Sequence, residues 1–404
     1  MLLLYYRSKA PSSYIINMKR LIQIFFLVLT VSCNQERHNE NSLEIDYNIE
    51  DIIMDECIDT FIVKPIKSEY PLSPLFSVQT VDKQYFLESD DDKIIYYMRN
   101  DSIISKLDAF GRGRGEYQSI SGFAYSERDS ILYVASAGQS KILCYSVPSF
   151  SFINSFECEL CVTTMTYANG NIIAICHTES IDSPKKNGVY EINPITRNYK
   201  LLLSLDYLSS VSMGNESFSY YNDELYIVVP GYDNAIYKYN KEGLERTNEF
   251  HYGILNLSRD FFEIDERKTI QLFEKISELF EKEYCLGGCF SIPIDSTHYA
   301  FWRANGDGKD LQVIFTIVAD SQSKSYSIKI PGLSLSVIPY CVSEGWNICI
   351  VEGPSESILD SEKELSGIGL EIINSLKKQS FDNPILLYFK LKDDLWQIPK
   401  ENML

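Results

Sequence analysis

A glycine-rich stretch, residues 111–117 with the sequence Gly-Arg-Gly-Arg-Gly-Glu-Tyr, carries the residue types that most readily suggest chemistry. Glycine-rich loops cradle phosphates when a helix follows and its N-terminus faces the anion. The residues after this stretch have the pattern of a strand, so a nucleotide site is not favoured. We interpret the stretch as a corner between two β-rich units, tied by hydrogen bonds of Glu116 and Tyr117. Arg112 and Arg114, together with Glu116 and Tyr117, are the candidate ligand-binding residues, because binding residues are frequent on such loops.

Two pairs of cysteines have a spacing that could serve a metal or a disulfide, Cys158 with Cys161 and Cys285 with Cys289. Four thiolates could bind zinc, although the two pairs are far apart in the chain. In an exported protein, such pairs are expected to form disulfides, within or between the pairs, or to remain idle thiols rather than to bind metal. We assign no metal site and no cofactor. Three further cysteines lie in apolar runs, where cysteine packs as a small hydrophobe: Cys144, Cys176 and Cys349.

Histidines and carboxylates form no recognisable catalytic pattern in the sequence. His177, His251 and His298 are not part of a His-x-x-x-His or His-Glu-x-x-His motif, and no Gly-x-Ser-x-Gly elbow is present. The acidic segment 88–92 has oxygen ligands suited to calcium but lacks the order of a calcium loop, so it predicts a solvated hairpin turn. We therefore assign no catalytic residue. Carboxylates that meet only in the folded protein would not be visible in the sequence.

The N-terminus has the features of a bacterial lipoprotein signal. A basic start at residues 18–20 precedes an apolar run from Leu21 to Val31, and Ser32-Cys33 follows. This order is typical of a secretory signal peptide, and the run is short for a membrane span of about 20 residues. We expect cleavage before Cys33 and lipidation of Cys33, although Thr30 stands where such signals usually have leucine. An uncleaved anchor helix is the alternative, and residues 1–17 are interpreted as an upstream extension.

Composition favours a sheet protein and excludes one class of partner. Aromatic residues make up 13% of the chain, with 28 Tyr and 21 Phe, and these residue types favour pleated, half-buried surfaces. The formal net charge of −19 repels phosphate backbones, so nucleic acid is not expected as a partner.

Repeats indicate the architecture. Four successive segments, beginning at Phe76, Ile120, Val162 and Ser217, share one plan of alternating strands, aromatic residues and polar turns. Their period of about 40–50 residues is that of propeller blades. Radial stacking of such sheets buries both faces of each blade and leaves only short edges. The pattern therefore predicts an all-β propeller of four-stranded antiparallel blades.

The C-terminal half is less regular and predicts helices between strands. Apolar residues recur at helical spacing in residues 261–282 and 361–378. Residues 383–392 predict a long strand, which we expect to close the ring by joining the first blade.

Three motifs carry a family resemblance: the Gly-x-Gly-x-Gly-Glu-Tyr order at residues 111–117, an Ala-Ile-Tyr strand at 235–237 and the Asn-Pro-apolar ending at 383–386. With them the chain resembles the six-bladed β-propeller lipoproteins of unknown function that are common in Bacteroidota, over about residues 50–392. Members often have proline where this chain has Arg114. The resemblance implies a six-bladed propeller and export, and it brings no catalytic set.

The domain organisation expected is an extension with a signal peptide (1–32), a tether (33–48), a six-bladed propeller (49–396) and a tail (397–404). We expect a monomeric outer-membrane lipoprotein, facing the periplasm or the cell surface and touching the membrane only through its lipid. Its expected function is non-catalytic binding or scaffolding, with a protein, peptide or glycan docked at one mouth of the ring. The alternative is a hydrolase or lyase acting on a glycan or peptide at the central channel.

Overall fold

The computed structural model describes residues 42–44, 49–75, 77–81, 84–89, 91–177, 187–205, 218–221, 223–229, 235–251, 285–293, 298–306, 311–319, 322–333, 339, 341–343, 346–352, 358–359, 365, 367–379, 383–392 and 395. These residues form six sheets, each with a four-stranded antiparallel core, arranged as the blades of a propeller. The chain divides after Ser42, and residues 43–404 form one compact unit. The six-bladed β-propeller predicted from the sequence is therefore confirmed.

The described elements before the first complete blade are three strands and one short helix: β1 (Ser42–Glu44), β2 (Ile49–Ile53), α1 (Met54–Cys57) and β3 (Ile58–Pro65). Blades 1 and 2 follow, with four strands each: β4 (Ser77–Val81), β5 (Gln84–Ser89), β6 (Ile94–Arg99), β7 (Ser102–Leu107), β8 (Gly122–Ser126), β9 (Ile131–Ser136), β10 (Lys141–Ser146) and β11 (Phe152–Glu157). A 3-10 turn at Ala137–Gln139 joins β9 to β10.

Blades 3 to 5 continue the same order: β12 (Cys161–Ala168), β13 (Asn171–His177), β14 (Gly188–Ile192), β15 (Tyr199–Ser204), β16 (Phe218–Tyr221), β17 (Glu224–Val228), β18 (Ala235–Asn240), β19 (Gly243–His251), β20 (Cys285–Pro293), β21 (His298–Gly306), β22 (Leu311–Ala319) and β23 (Gln322–Lys329). Blade 6 contains β24 (Cys341–Ser343), β25 (Trp346–Val351) and, after helix α2 (Gly367–Lys377), β26 (Ile385–Leu391), with β3 as its fourth strand.

The ring is closed by the N-terminal strand inside the last blade. β26 pairs antiparallel with β3, from Ile385 opposite Pro65 to Leu391 opposite Ile58. The expectation that the C-terminal strand joins the first blade is therefore corrected. β26 lies inside blade 6, between β25 and β3, so the N-terminal strand joins the last blade instead. The N-terminal segment also extends two earlier sheets, where β1 lies beside β19 and β2 runs parallel to β23.

The core lies between successive blades rather than inside one of them. In β13, Ile172 packs with Ile142 of blade 2, whereas its neighbour Ile173 packs with Ile227 of blade 4. Both faces of a middle strand are therefore buried, which explains its continuous apolar sequence. Burying one such side chain contributes about 1.5–3 kcal/mol.

Tyrosines of the inner strands link each of three blades to the blade before it. Tyr125 donates a hydrogen bond to Gln84 Oε1 of blade 1 (3.4 Å), and Tyr167 donates to Asp129 Oδ2 of blade 2 (3.5 Å). Tyr220 donates to the backbone oxygen of Tyr167 in blade 3 (2.7 Å). The ring of Tyr125 also packs against Phe86 of blade 1, and that of Tyr167 stacks on Tyr133 of blade 2, so these tyrosines combine an apolar contact with a polar one.

Helix α2 is held against blade 6 by a carboxylate from the N-terminal segment. Ile368 donates its backbone N–H to Asp55 Oδ1 (3.1 Å), which satisfies one of the first N–H groups of the helix. The buried face of α2 includes Ile372 and Ile373. The prediction of a helix in residues 361–378 is thus confirmed for 367–377, whereas the helix predicted at 261–282 lies outside the described residues.

Candidate functional site

The glycine-rich stretch forms a closed loop between blades 1 and 2. Phe110 and Tyr117 form a parallel bridge at its base. There the N–H of Gly111 donates to the oxygen of Tyr117 (2.9 Å), and the N–H of Tyr117 donates to the oxygen of Ala109 (3.0 Å). We call residues 110–117 the 110–117 loop. Strand β8, not a helix, is the next regular element, so the geometry of a phosphate cradle is absent from this described segment.

Tyr117 anchors the loop to blade 1. Its side chain is completely buried, and its hydroxyl lies 2.5 Å from the oxygen of Lys93 and 3.1 Å from the oxygen of Leu107. Burial raises the pKa of the Tyr117 phenol well above its ordinary value, so the hydroxyl remains a donor. The structure thus gives Tyr117 a positioning role, since no part of its side chain reaches solvent.

Glu116 closes the tip of the loop from inside. Its carboxylate accepts a hydrogen bond from the backbone N–H of Gly113 (2.6 Å). The same carboxylate lies against Gly111, where an added Cβ would overlap its Oε2 atom. The tie predicted from the sequence for Glu116 and Tyr117 is confirmed.

Gly115 fixes the loop to blade 2. It has φ +82, which favours glycine, and an added Cβ would lie 2.5 Å from Cγ of Phe152. Its backbone oxygen accepts a hydrogen bond from the hydroxyl of Tyr145 (3.0 Å). The loop is therefore clamped between two blades and held in one shape.

Three exposed side chains project from this clamped loop. Arg112 and Arg114 are exposed, and neither has a hydrogen bond or ion pair within the described part of the chain. Phe110 is 60% exposed at the base of the loop. Two guanidinium groups supply only hydrogen-bond donors, and the ring supplies apolar surface. Sequence reasoning missed Phe110, whose only signal was its position directly before the glycines.

The described strands that surround the centre of the ring carry tyrosines and cysteines as their titratable side chains. The six described inner strands, β4, β8, β12, β16, β20 and β24, contain no Asp, Glu, His, Lys or Arg. In β4, the side-chain amide of Gln79 donates to the oxygens of Phe123 (2.6 Å) and Met165 (2.9 Å), which connects the inner strands of three blades.

The acidic segment 88–92 is only partly the solvated turn predicted from the sequence, and it lies near a half-buried carboxylate of blade 6. Glu88 and Ser89 are buried at the end of strand β5, because this middle strand is covered on both faces, and the prediction is wrong for them. Asp91 and Asp92 are exposed as predicted, and Asp92 accepts a hydrogen bond from Ser73. Glu352 accepts a hydrogen bond from the backbone N–H of Leu75. Burial, and then the charge of Asp91, raise the pKa of Glu352 above its ordinary value. Within the described ranges, no group of three His, Cys, Asp or Glu side chains is placed to hold a metal ion.

The cysteines and histidines singled out in the sequence are only partly described. Cys144, Cys176 and Cys349 are buried in strands, as predicted, and burial raises the pKa of the Cys176 thiol. Cys158 is buried with its thiol 3.7 Å from the oxygen of Leu160. The side chains of Cys285, Cys289, His177, His251 and His298 lie outside the described part, as does Cys33.

Comparisons with known proteins agree with the architecture. A family model described as a 6-bladed beta-propeller matches residues 34–286. A solved structure of a Bacteroides fragilis protein described as exported is similar with a TM-score of 0.66 and 13% identity, over 87% of this chain and 99% of that chain. A member of the DUF4221 family from Bacteroides vulgatus is similar with a TM-score of 0.50 and 12% identity, over 83% and 97%. At these identities the two structures share the fold alone. A search of curated proteins found no match.

None of the helices in the described part has the length and apolar character needed to span a membrane.

Proposed function

This chain belongs to the DUF5128 family of six-bladed beta-propellers, and we propose that it is a non-catalytic binding protein of the cell envelope. Its partner docks on the 110–117 loop, which connects the outer strand β7 of blade 1 to the inner strand β8 of blade 2 and contacts strands β10 and β11 through Tyr145 and Phe152. The observation that carries this proposal is the exposure of Phe110, Arg112 and Arg114 on one clamped loop. Aromatic residues and arginine are enriched at interfaces and in their energetic centres.

The anchoring of the loop supports this role. Tyr117 and Gly115 tie the loop to both neighbouring blades, so little conformational freedom is lost when a partner binds. Rigid elements that position exposed loop residues are the usual arrangement for recognition.

The composition of the inner strands supports a non-catalytic role. A hydrolase or lyase at the centre of the ring would need carboxylates, imidazoles or amines near its substrate. The described inner strands have none of these groups, and Gln79 uses its amide to join three of them.

The same proposal includes export and a lipid anchor on Cys33. The basic, apolar and small residues of 18–33 support it, and so does the fold shared with an exported protein of Bacteroides fragilis. Metabolic labelling with an alkyne fatty acid should mark the wild-type protein in the outer-membrane fraction. Cys33→Ala should lose both the label and the membrane association. Label retained by Cys33→Ala would refute lipidation at this residue.

The binding role is tested by a thermal-shift screen of the full-length protein in detergent against metals, oligosaccharides and peptides. A ligand that binds only the native state raises the melting temperature by mass action. We expect one class to give a saturable shift that is lost in Phe110→Ala/Arg112→Ala/Arg114→Ala. The matched control is Arg128→Ala/Arg197→Ala, which removes two exposed arginines from turns elsewhere in blades 2 and 3.

Two results would contradict the proposal. An equal shift in the wild type and the triple variant would move the site away from the 110–117 loop. Turnover of the bound ligand, abolished by a single side-chain change, would make the protein an enzyme.

A further inference from the structure

We propose that the partner held by the 110–117 loop is an acidic polypeptide segment, with carboxylates on Arg112 and Arg114 and an apolar side chain on Phe110. This inference rests on the proposed function, because it names the chemistry of the ligand that the loop would hold.

The two arginines are available for an anionic partner. The chain has 56 acidic residues against 37 basic ones, yet within the described part no carboxylate pairs with Arg112 or Arg114. The carboxylate nearest in sequence, that of Glu116, is engaged by the N–H of Gly113. Both guanidinium groups therefore face solvent without a counter-charge in this part of the molecule.

The guanidinium groups of the two arginines favour a carboxylate over a neutral sugar. Each group offers five N–H donors and no acceptor, in a planar fork that matches a carboxylate. A neutral sugar presents hydroxyls that donate as well as accept, and this pair of side chains supplies no acceptor for them.

The exposed ring of Phe110 favours a polypeptide over a purely polar polyanion. The backbone of Phe110 is fixed by its bridge with Tyr117, so the exposed ring stands at the base of the loop that also carries the two arginines. An apolar side chain next to carboxylates would cover this ring and remove its surface from water. Apolar and acidic side chains occur together in polypeptides, whereas polysaccharide acids present mainly hydroxyls.

The test uses a fluorescein-labelled ten-residue peptide that alternates glutamate and leucine, with its glutamine counterpart as the matched probe. Binding to the full-length protein in detergent is followed by fluorescence anisotropy at low and physiological salt. We expect the glutamine peptide to bind at least tenfold more weakly than the glutamate peptide. Arg112→Ala/Arg114→Ala should weaken glutamate-peptide binding at least tenfold, and Arg128→Ala/Arg197→Ala should change it less than twofold.

Two further variants separate the contributions. Arg112→Lys/Arg114→Lys keeps the charge but loses the fork, so its affinity should fall between those of the wild type and the alanine variant. Phe110→Ala should weaken the leucine-containing peptide more than a glutamate–serine peptide of the same charge. Circular dichroism of each variant verifies that it is folded.

The inference is overturned if the glutamine peptide binds as tightly as the glutamate peptide, or if the glutamate peptide fails to bind at millimolar concentration. It is also overturned if polygalacturonate or phosphatidylglycerol vesicles bind better than the peptide and lose binding in Arg112→Ala/Arg114→Ala. That last result would leave the proposed docking function standing. The proposed function itself would be removed by a thermal shift retained in the triple loop variant, or by turnover of the bound ligand.

Discussion

The contact of Gly115 with Phe152 makes a quantitative prediction about how the loop is held. Gly115 has φ +82, and a Cβ there would lie 2.5 Å from Cγ of Phe152. Gly170 has nearly the same φ, +84, but nothing lies within 4 Å of its added Cβ. The two glycines therefore separate the cost of the backbone conformation from the cost of the clash.

The magnitudes follow from these two terms. An L-residue in the left-handed region costs about 1–2 kcal/mol, which the reduced entropy of the unfolded chain offsets by about 0.4–1 kcal/mol. Gly170→Ala should therefore cost about 1 kcal/mol. Gly115→Ala adds overpacking against Phe152, typically about 1–3 kcal/mol, so its total should be about 2–4 kcal/mol.

Differential scanning calorimetry measures the difference. For the compact unit of residues 43–404, 1 kcal/mol corresponds to roughly 1.3 °C in melting temperature. We expect a fall of about 1 °C for Gly170→Ala and about 3–5 °C for Gly115→Ala. In the background of Phe152→Ala, the extra cost of Gly115→Ala should fall but not vanish, because the overlap with Cγ is removed whereas Cβ of residue 152 stays 2.9 Å from the added Cβ. Equal effects of the two glycine substitutions, or no relief by Phe152→Ala, would refute the clamping of the loop against blade 2.

Three further predictions concern single groups. Tyr117→Phe should lower the stability by about 1–2 kcal/mol, because the buried backbone oxygens near the hydroxyl lose their donor, and urea unfolding measures this. Asp55→Ala should lower the free energy of unfolding by about 1–2 kcal/mol, because it removes the partner of the Ile368 N–H at the start of α2. Hydrogen exchange should become faster in that helix alone. The pKa of Glu352 is raised in the folded state, so the native protein binds a proton at this carboxyl more tightly than the unfolded chain does. The contribution of Glu352 to stability therefore falls as the pH rises through this raised pKa. Glu352→Gln, which keeps an oxygen for the N–H of Leu75, should therefore be more stable than the wild type at pH 7 but not at pH 4, in melting temperatures taken at both values.

The blades could be predicted because their pattern is local. A strand such as β13 shows its type through a short apolar run between turn residues, and the plan recurs along the chain. Ring closure could not be predicted in the same way. The pairing of β26 with β3 joins segments from opposite ends of the chain, and nothing in either strand specifies its partner.

The site was located by sequence but not understood from it. Three glycines marked residues 111–117 as an unusual loop, and the tie through Glu116 and Tyr117 was anticipated. The different roles of Tyr117 and Phe110 were not anticipated. Tyr117 is buried, with its hydroxyl on the backbone oxygen of Lys93 in another turn, whereas Phe110 is exposed to solvent. Two aromatic residues with similar chemistry differ in role only through what surrounds them.

By itself the sequence determined the class of the fold, its repeated units and the position of the loop, because these depend on residue type and on spacing over short distances. The tertiary structure alone decided which N-terminal strand closes the ring, which carbonyl oxygens hold Tyr117 and which side chains of the loop reach solvent. Those features depend on contacts between residues far apart in the chain, such as Gly115 with Phe152, and they exist only once the blades are packed.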